Sequence, residues 1–121
     1  MSMNLYVEGV RKATVVVKGK KKVIPDRTKF DLWQTPTKLT YEVLALPTLE
    51  QKVEAYIKWA ESVSTPYEDN VYDYDGELND DFEYPVIGRK MVYPAQDHAR
   101  ELRDWLRMCD DEDYTVNFYT L

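Results

Sequence analysis

Between Tyr67 and Pro85 the chain reads YEDNVYDYDGELNDDFEYP, with eight carboxylates, four tyrosines, one phenylalanine and no lysine or arginine. Charged groups this dense are not buried without partners, because an uncompensated charge costs too much to take out of water. The core must therefore come from the flanks, and this acidic-aromatic segment must lie at the surface. A chain of 121 residues has length for one domain, 1–121, and buries roughly two thirds of its unfolded surface.

Downstream and upstream of the acidic run, two helices are predicted. Thr48 followed by Gln51 is a capping box, with the hydroxyl taking an orphan amide hydrogen and the glutamine reaching back. Leu49, Val53, Tyr56, Ile57, Ala60 and Val63 then share one stripe at helical spacing, bordered by Trp59. Pro66 closes this helix, assigned to 47–64. Pro94 opens a second over 94–110, with Ala95, Ala99, Leu102, Leu106 and Cys109 on its stripe and His98 and Trp105 along one edge. Four acids from Asp110 to Asp113 oppose the helix dipole and should stop it there.

The first 46 residues read as a basic β-meander. Asn4–Val7 and Ala13–Lys18 are rich in β-branched residues, Gly19-Lys20 suggests a tight turn into Lys21–Ile24, and Pro25-Asp26 interrupts the pattern. Phe30, Leu32 and Gln34 alternate with polar or border residues. Leu39, Tyr41, Val43 and Ala45 alternate again beyond Gln34-Thr35-Pro36-Thr37. Val86–Tyr93, interrupted at Gly88, and a final stretch over 114–121 add further strands. The expected class is α+β: an antiparallel sheet of about four to six short strands with two amphipathic helices packed on one face.

Charge is distributed unevenly. Residues 1–46 carry nine Lys/Arg against four Asp/Glu, and residues 47–121 carry seven against eighteen, for a net charge of -6. That balance argues against direct nucleic-acid binding by the whole chain. No apolar stretch reaches the roughly 20 residues that span a bilayer, and the start MSMNLYVEG lacks a signal peptide's pattern, so a cytoplasmic protein without membrane association is expected. The single cysteine rules out an internal disulfide or a multi-thiolate metal site.

Few patterns suggest chemistry. The glycines (Gly9, Gly19, Gly76, Gly88) are scattered, which removes phosphate-cradling and dinucleotide motifs, and no cofactor is expected. Cys109 and His98 lie eleven residues apart on one helix, roughly 16 Å along its axis, too far to act together. Cys109 reads as a packed core thiol, and His98 as a border residue packing on Trp105 with its nitrogens in solvent. His98-x-x-Glu101 has a spacing able to hold a metal but lacks further ligands. Pro25-Asp26 with Glu50-Gln51-Lys52 imitates a nuclease motif, but Glu50 and Lys52 diverge by roughly 200° in a helical first turn. Around Gly76 a calcium loop would put Val71 and Phe82 at its two essential end positions. Lys18, Lys20, Lys21 and Lys22 surround the proposed hairpin turn, where they either deter edge pairing or touch phosphate.

The segment from Tyr67 to Pro85 reads either as a mobile surface loop kept soluble by its charge or as a partly ordered recognition surface, and the second reading carries the functional expectation. Tyrosine offers contact area with few rotors to freeze, and interspersed carboxylates suit a partner rich in Arg and Lys. The site residues expected to meet a basic protein are Tyr67, Glu68, Asp69, Tyr72, Asp73, Tyr74, Asp75, Glu77, Asp80, Asp81, Phe82, Glu83 and Tyr84, with Asp110–Asp113 in support. The function expected is that of a small non-enzymatic binding protein that regulates or inhibits its partner. A groove that normally takes nucleic acid would make it a nucleic-acid mimic, in the style of the acidic inhibitors that phages direct at host defence enzymes; that is analogy alone. The alternatives are a metal-dependent hydrolase built on Asp73, Asp75 and Asp81, and a nucleic-acid-binding module built on Lys18–Lys22. A first or last strand with an open edge would allow a homodimer.

Overall fold

Two strands in the N-terminal quarter of the chain are much longer than their sequence signals. The computed structural model describes residues 3–121. In it β1 (Leu5–Val17) and β2 (Lys20–Phe30) form one antiparallel hairpin, paired without interruption from Val7↔Phe30 to Val17↔Lys20. Lys18 and Gly19 close it, both at positive φ (51° and 76°). Two left-handed residues in a row give the turn whose twist matches that of the strands. The expected break at Pro25-Asp26 does not occur: Pro25 lies inside β2, opposite Lys12. Proline is tolerated there because β2 is the outer strand of the order β2-β1-β5 and needs no amide hydrogen on its free side.

Leucine, threonine and valine between Leu39 and Val43 form no strand. Thr37–Leu44 is helix α1, which corrects the alternation read there. Thr40 and Val43 are fully buried while Tyr41 is 53% exposed, so the buried spacing is three rather than two. Pro36 sets the entry at φ -62°, and Thr40 N–H donates to Pro36 O in the first helical bond. A buried polar chain then ties α1 to the start of β1. Leu5 N–H donates to Thr35 Oγ1 (2.9 Å), which lies 2.7 Å from Thr40 Oγ1, and Thr40 donates to Met3 O (2.7 Å). Likewise Phe30 ends β2, and Leu32 and Gln34 fall in irregular chain rather than a strand.

The two sequence-predicted helices are present as α2 (Leu49–Val63) and α3 (Pro94–Asp111), with Pro94 in the first turn of α3. Thr48 caps α2 by accepting from Gln51 N–H (3.1 Å), but the glutamine does not return to the Thr48 amide; its Oε1 takes the Thr48 hydroxyl instead. Lys52, the lysine of the nuclease-like coincidence, donates its ammonium to Leu44 O and Leu46 O at the end of α1. That position satisfies carbonyls a helix terminus leaves orphaned.

The last strand, β5 (Thr115–Thr120), pairs antiparallel with β1 from Leu5↔Thr120 to Val10↔Thr115. Beside this three-stranded sheet, β3 (Tyr67–Tyr72) and β4 (Val86–Val92) make a separate two-stranded hairpin. The fold is thus α+β with five strands in two antiparallel sheets and three helices, instead of one sheet with two helices. The core joins Leu5, Val7 and Phe118 of the sheet to Val43, to Val53, Tyr56 and Ile57 of α2, and to Ala99 and Leu102 of α3. No helix among the described residues is long and apolar enough to cross a membrane.

Cys109 is fully buried, and burial pushes its thiol up, so it stays protonated. It packs where the central strand offers no side chain. A Cβ on Gly9 would lie 3.1 Å from Cys109 Sγ, Thr28 Cγ2 and Tyr114 Cβ alike. With three neighbours to displace, Gly9→Ala is expected to cost about 1–3 kcal/mol by overpacking. A thermal melt reads this as a clear drop in midpoint, and an unchanged midpoint would show that α3 yields freely at its end.

Candidate functional site

The acidic-aromatic run is an ordered hairpin, and its own polar side chains order it. Tyr67 to Val71 pair regularly with Val92 to Gly88; then Tyr72 pairs with Val86, so Ile87 is an extra residue in β4. Such a bulge bends and twists the strand that carries it, which aims the tip. Gly88 itself pairs with Val71 inside β4, so the strand is not interrupted there and its irregularity falls at Ile87.

Beyond Tyr72 the chain turns twice. Asp73 N–H donates to Pro85 O (2.9 Å), while Asp73 Oδ1 accepts from Asp75 N–H (3.1 Å) and Asp73 O from Gly76 N–H (3.2 Å). This is an aspartate side chain standing in for a backbone turn. Gly76 is required by contact: a Cβ there would fall 2.8 Å from Pro85 Cγ and 3.0 Å from Asp73 Oδ2. In the second turn Asn79 Oδ1 accepts from both Asp81 N–H and Glu83 N–H (2.9 Å each). Phe82 N–H donates to Asn79 O (3.0 Å), and Asn79 N–H donates to Glu83 O (2.8 Å).

These turns arrange the aromatic residues. Tyr74 packs edge-on to Tyr84 with centroids 5.0 Å apart, and Tyr72 lies 6.2 Å from Tyr74. Tyr67 stands apart at the hairpin base, half exposed. Phe82 is the outlier. It is 83% exposed and sits at φ 60°, a left-handed conformation unusual for a bulky residue.

The carboxylates are mostly free. Among the described residues, Glu68 is the one of the eight that makes an ion pair, with Arg89 across the hairpin at 3.2 Å. Asp69 accepts from the neighbouring Asn70 N–H, and Asp73 serves its turn. Asp75, Glu77, Asp80, Asp81 and Glu83 are exposed and form no ion pair among the described residues. The like charges of such a run sum to a local negative potential, which steers cations and basic surfaces toward it.

Asp73, Asp75 and Asp81 do not converge. Among the described residues no three His, Cys, Asp or Glu side chains are placed to hold one metal ion, and a two-stranded hairpin rather than paired helices flanks Gly76. The supporting acidic run, Asp110–Asp113, lies at the far end of α3 from the hairpin; 18 residues of helix separate them by roughly 27 Å. Glu112 is also engaged there: Arg11 bonds its carboxylate (3.1 Å) and its carbonyl (2.8 Å). Arg11 Nε further contacts Asp26 (2.9 Å) and its guanidinium lies 4.4 Å over the Tyr114 ring. The Tyr114 hydroxyl, donating to Asp26 at 2.8 Å, together with Arg11, holds the Asp26 carboxyl below its usual range. Nothing in the spacing of these four residues signals the network, whose hydrogen bonds join positions 15, 88 and 101 apart.

His98 is a second correction. It is 9% exposed rather than at a solvent border. Its ring stacks on Trp33 (4.7 Å, 15°) and not on Trp105, and its Nε2 lies 2.7 Å from the Tyr56 hydroxyl. Lys18, Lys20, Lys21 and Lys22 are exposed at the tip of the β1–β2 hairpin, as expected.

No protein-family model matches this sequence, and comparison with curated proteins and with solved structures returns no match.

Proposed function

We propose that the protein is a non-enzymatic binding protein of the cytoplasm whose β3–β4 hairpin docks on a basic protein surface and regulates or blocks it. The observation that carries this reading is the hairpin itself: five free carboxylates around an ordered tyrosine cluster, with Phe82 standing out at the tip. Internal turns hold the geometry before any partner arrives, so little ordering entropy is lost on docking. The anionic surface accelerates encounter, and the aromatics supply desolvated contact once docked. A groove shaped for a phosphate backbone fits this chemistry best, which makes the protein a nucleic-acid mimic toward its target, by analogy with phage anti-defence inhibitors.

The test is affinity capture with the full chain beside the fourfold variant Asp75→Lys, Glu77→Lys, Asp80→Lys, Asp81→Lys, which spares the turn-forming Asp73 and Asn79. A basic protein retained by the first is expected to bind the second at least about tenfold more weakly, with the difference shrinking as salt rises. Equal retention by both, or no specific retention by either, would overturn the proposal.

A further inference from the structure

The β1–β2 hairpin outgrows the body of the molecule. β5 covers β1 only from Leu5 to Val10, and no residue from Lys12 to Pro25 is buried. Beyond Val10 the ladder with β2 runs on without a bulge to Val17↔Lys20, a two-stranded arm that projects roughly 23 Å. A hairpin with neither face covered is marginal by itself. This one is clamped at its base, where Arg11 crosses to Asp26 of β2 at 2.9 Å and reaches Glu112 at 3.1 Å. The arm is also the basic end of the chain. Residues 5–30 carry eight Lys/Arg against two Asp/Glu, and no acid lies between Lys12 and Pro25. Lys18, Lys20, Lys21 and Lys22 are exposed and form no ion pair among the described residues.

We propose that the tip of this arm is a nucleic-acid contact, a cationic β-ribbon that enters the major groove of duplex DNA. Three observations select this occupant. The first is the placing of the cations. Strand alternation puts Lys20 and Lys22 on the face that continues the core side of the sheet, Lys21 on the opposite face, and Lys18 in the turn. A flat acidic protein surface meets one face and leaves the remaining charge in water. A groove entered tip first has phosphate along both walls and meets all four. The second is size: a β-layer with its side chains is about 10 Å thick, inside the roughly 12 Å width of that groove. The third is the pairing of the last rungs, Val17↔Lys20, Val16↔Lys21 and Val15↔Lys22. Each valine comes with a lysine beside it, so the arm has no apolar tip to enter a bilayer. Shallow contact with thymine methyl groups in the groove leaves those lysines on phosphate.

The net charge of -6 does not oppose this contact, because the charges are segregated. At physiological salt a field between exposed charges decays over about 8 Å. Asp110–Asp113 precede Thr115, which stands level with Val10 at the arm's base, roughly 23 Å from the tip. The acidic β3–β4 hairpin lies beyond the other end of α3. Lys12 does share a cavity with Glu112 and Asp113, and these acids at the base confine the contact to the four lysines of the tip. The β3–β4 hairpin takes no part, so this inference goes beyond the proposed function and stands or falls apart from it.

Fluorescence anisotropy of a short, labelled, mixed-sequence DNA duplex tests it, titrated with the full chain at several salt concentrations. Four phosphate contacts predict a slope of log K against log salt of about -3.6, a loss of roughly 150-fold in affinity from about 50 to about 200 mM salt. The variant Lys20→Gln, Lys21→Gln, Lys22→Gln, with its folding checked by circular dichroism, keeps one cation at the tip. Its slope is expected to flatten to about -0.9, a loss of about fourfold over the same range. Lys38→Gln with Lys58→Gln, which removes two exposed lysines of the helices instead, is expected to leave the wild-type slope unchanged. No binding at about 50 mM salt, or a slope that the triple variant shares with the wild type, overturns the proposal. Equal or tighter binding to a single strand of the same length, to polyglutamate or to phosphatidylserine vesicles also overturns it, assigning the arm to another anion.

Discussion

Tyr56→Phe is expected to lower folding stability by about 1–3 kcal/mol, although it removes one oxygen and leaves the ring in place. The hydroxyl is the middle of a buried relay. Trp33 N–H donates to it (2.7 Å), and it lies 2.7 Å from His98 Nε2, with Tyr56 itself fully buried. Burial pushes the Tyr56 hydroxyl up to about 12, so it keeps its proton. With one lone pair taken by Trp33, that proton goes to Nε2, which fixes the neutral His98 tautomer with hydrogen on Nδ1. Phenylalanine would strand both an amide and an imidazole nitrogen away from water. Burial also lowers the His98 pKa, opposed only in part by the Glu101 charge. The unfolded chain then binds the extra proton first as pH falls. Stability is full above the unfolded value of 6.5, declines as pH drops below it, and levels off beneath the lowered folded value. Asp26, depressed by Tyr114 and Arg11, opens a second window at lower pH: its contribution is present above 3.8 and lost as pH falls through its folded value. Urea midpoints at pH 7 and pH 5 check this. Equal midpoints for the wild type, or an unchanged midpoint for Tyr56→Phe at pH 7, would contradict the relay.

The relay also explains why helical periodicity alone does not fix the burial of His98. A residue at the border of an apolar stripe is exposed or buried according to what lies beside the helix, and here that is Trp33. Trp33 itself sits in irregular chain between β2 and α1, where no period applies. The helices that announced themselves, α2 and α3, did so through stripes several turns long and through a cap or a proline at the start. In α1, at eight residues, Leu39, Tyr41 and Val43 satisfy a strand's alternation while Thr40 and Val43 satisfy a helix's spacing. Only burial decides between them, because a buried threonine is invisible to a hydrophobic pattern. Pro25 misled for the opposite reason: it forbids an interior strand but not an edge strand, and edge position is a property of the whole sheet. In the acidic segment, composition marked the surface correctly. Its order rests on Asp73 and Asn79 side chains that imitate backbone turns, which resemble any other polar residues until their partners are known.

Phe82→Gly is expected to separate what the hairpin tip does for folding from what it does for binding. A left-handed backbone costs an ordinary L-residue about 1–2 kcal/mol, and glycine avoids most of that cost while giving back some as chain entropy. The variant should therefore be as stable as the wild type, or about 1 kcal/mol more stable, with hairpin amides at least as protected from exchange. The phenyl ring contributes nothing to the core to set against this, being 83% exposed. A strained backbone that holds an apolar ring out in water is a local loss that stability alone does not explain, and such losses cluster where a partner makes use of them. Aromatic anchors at protein interfaces carry about 2 kcal/mol or more each, so the same variant should weaken binding to the captured basic partner by about 30-fold. Titration of that partner against wild type and variant reads the effect directly. Undiminished affinity would remove Phe82 from the site and leave recognition to the tyrosines and free carboxylates. A large loss without any loss of stability would mark the tip of β3–β4 as an anchor shaped for docking, with the acids around it governing approach and the ring governing residence.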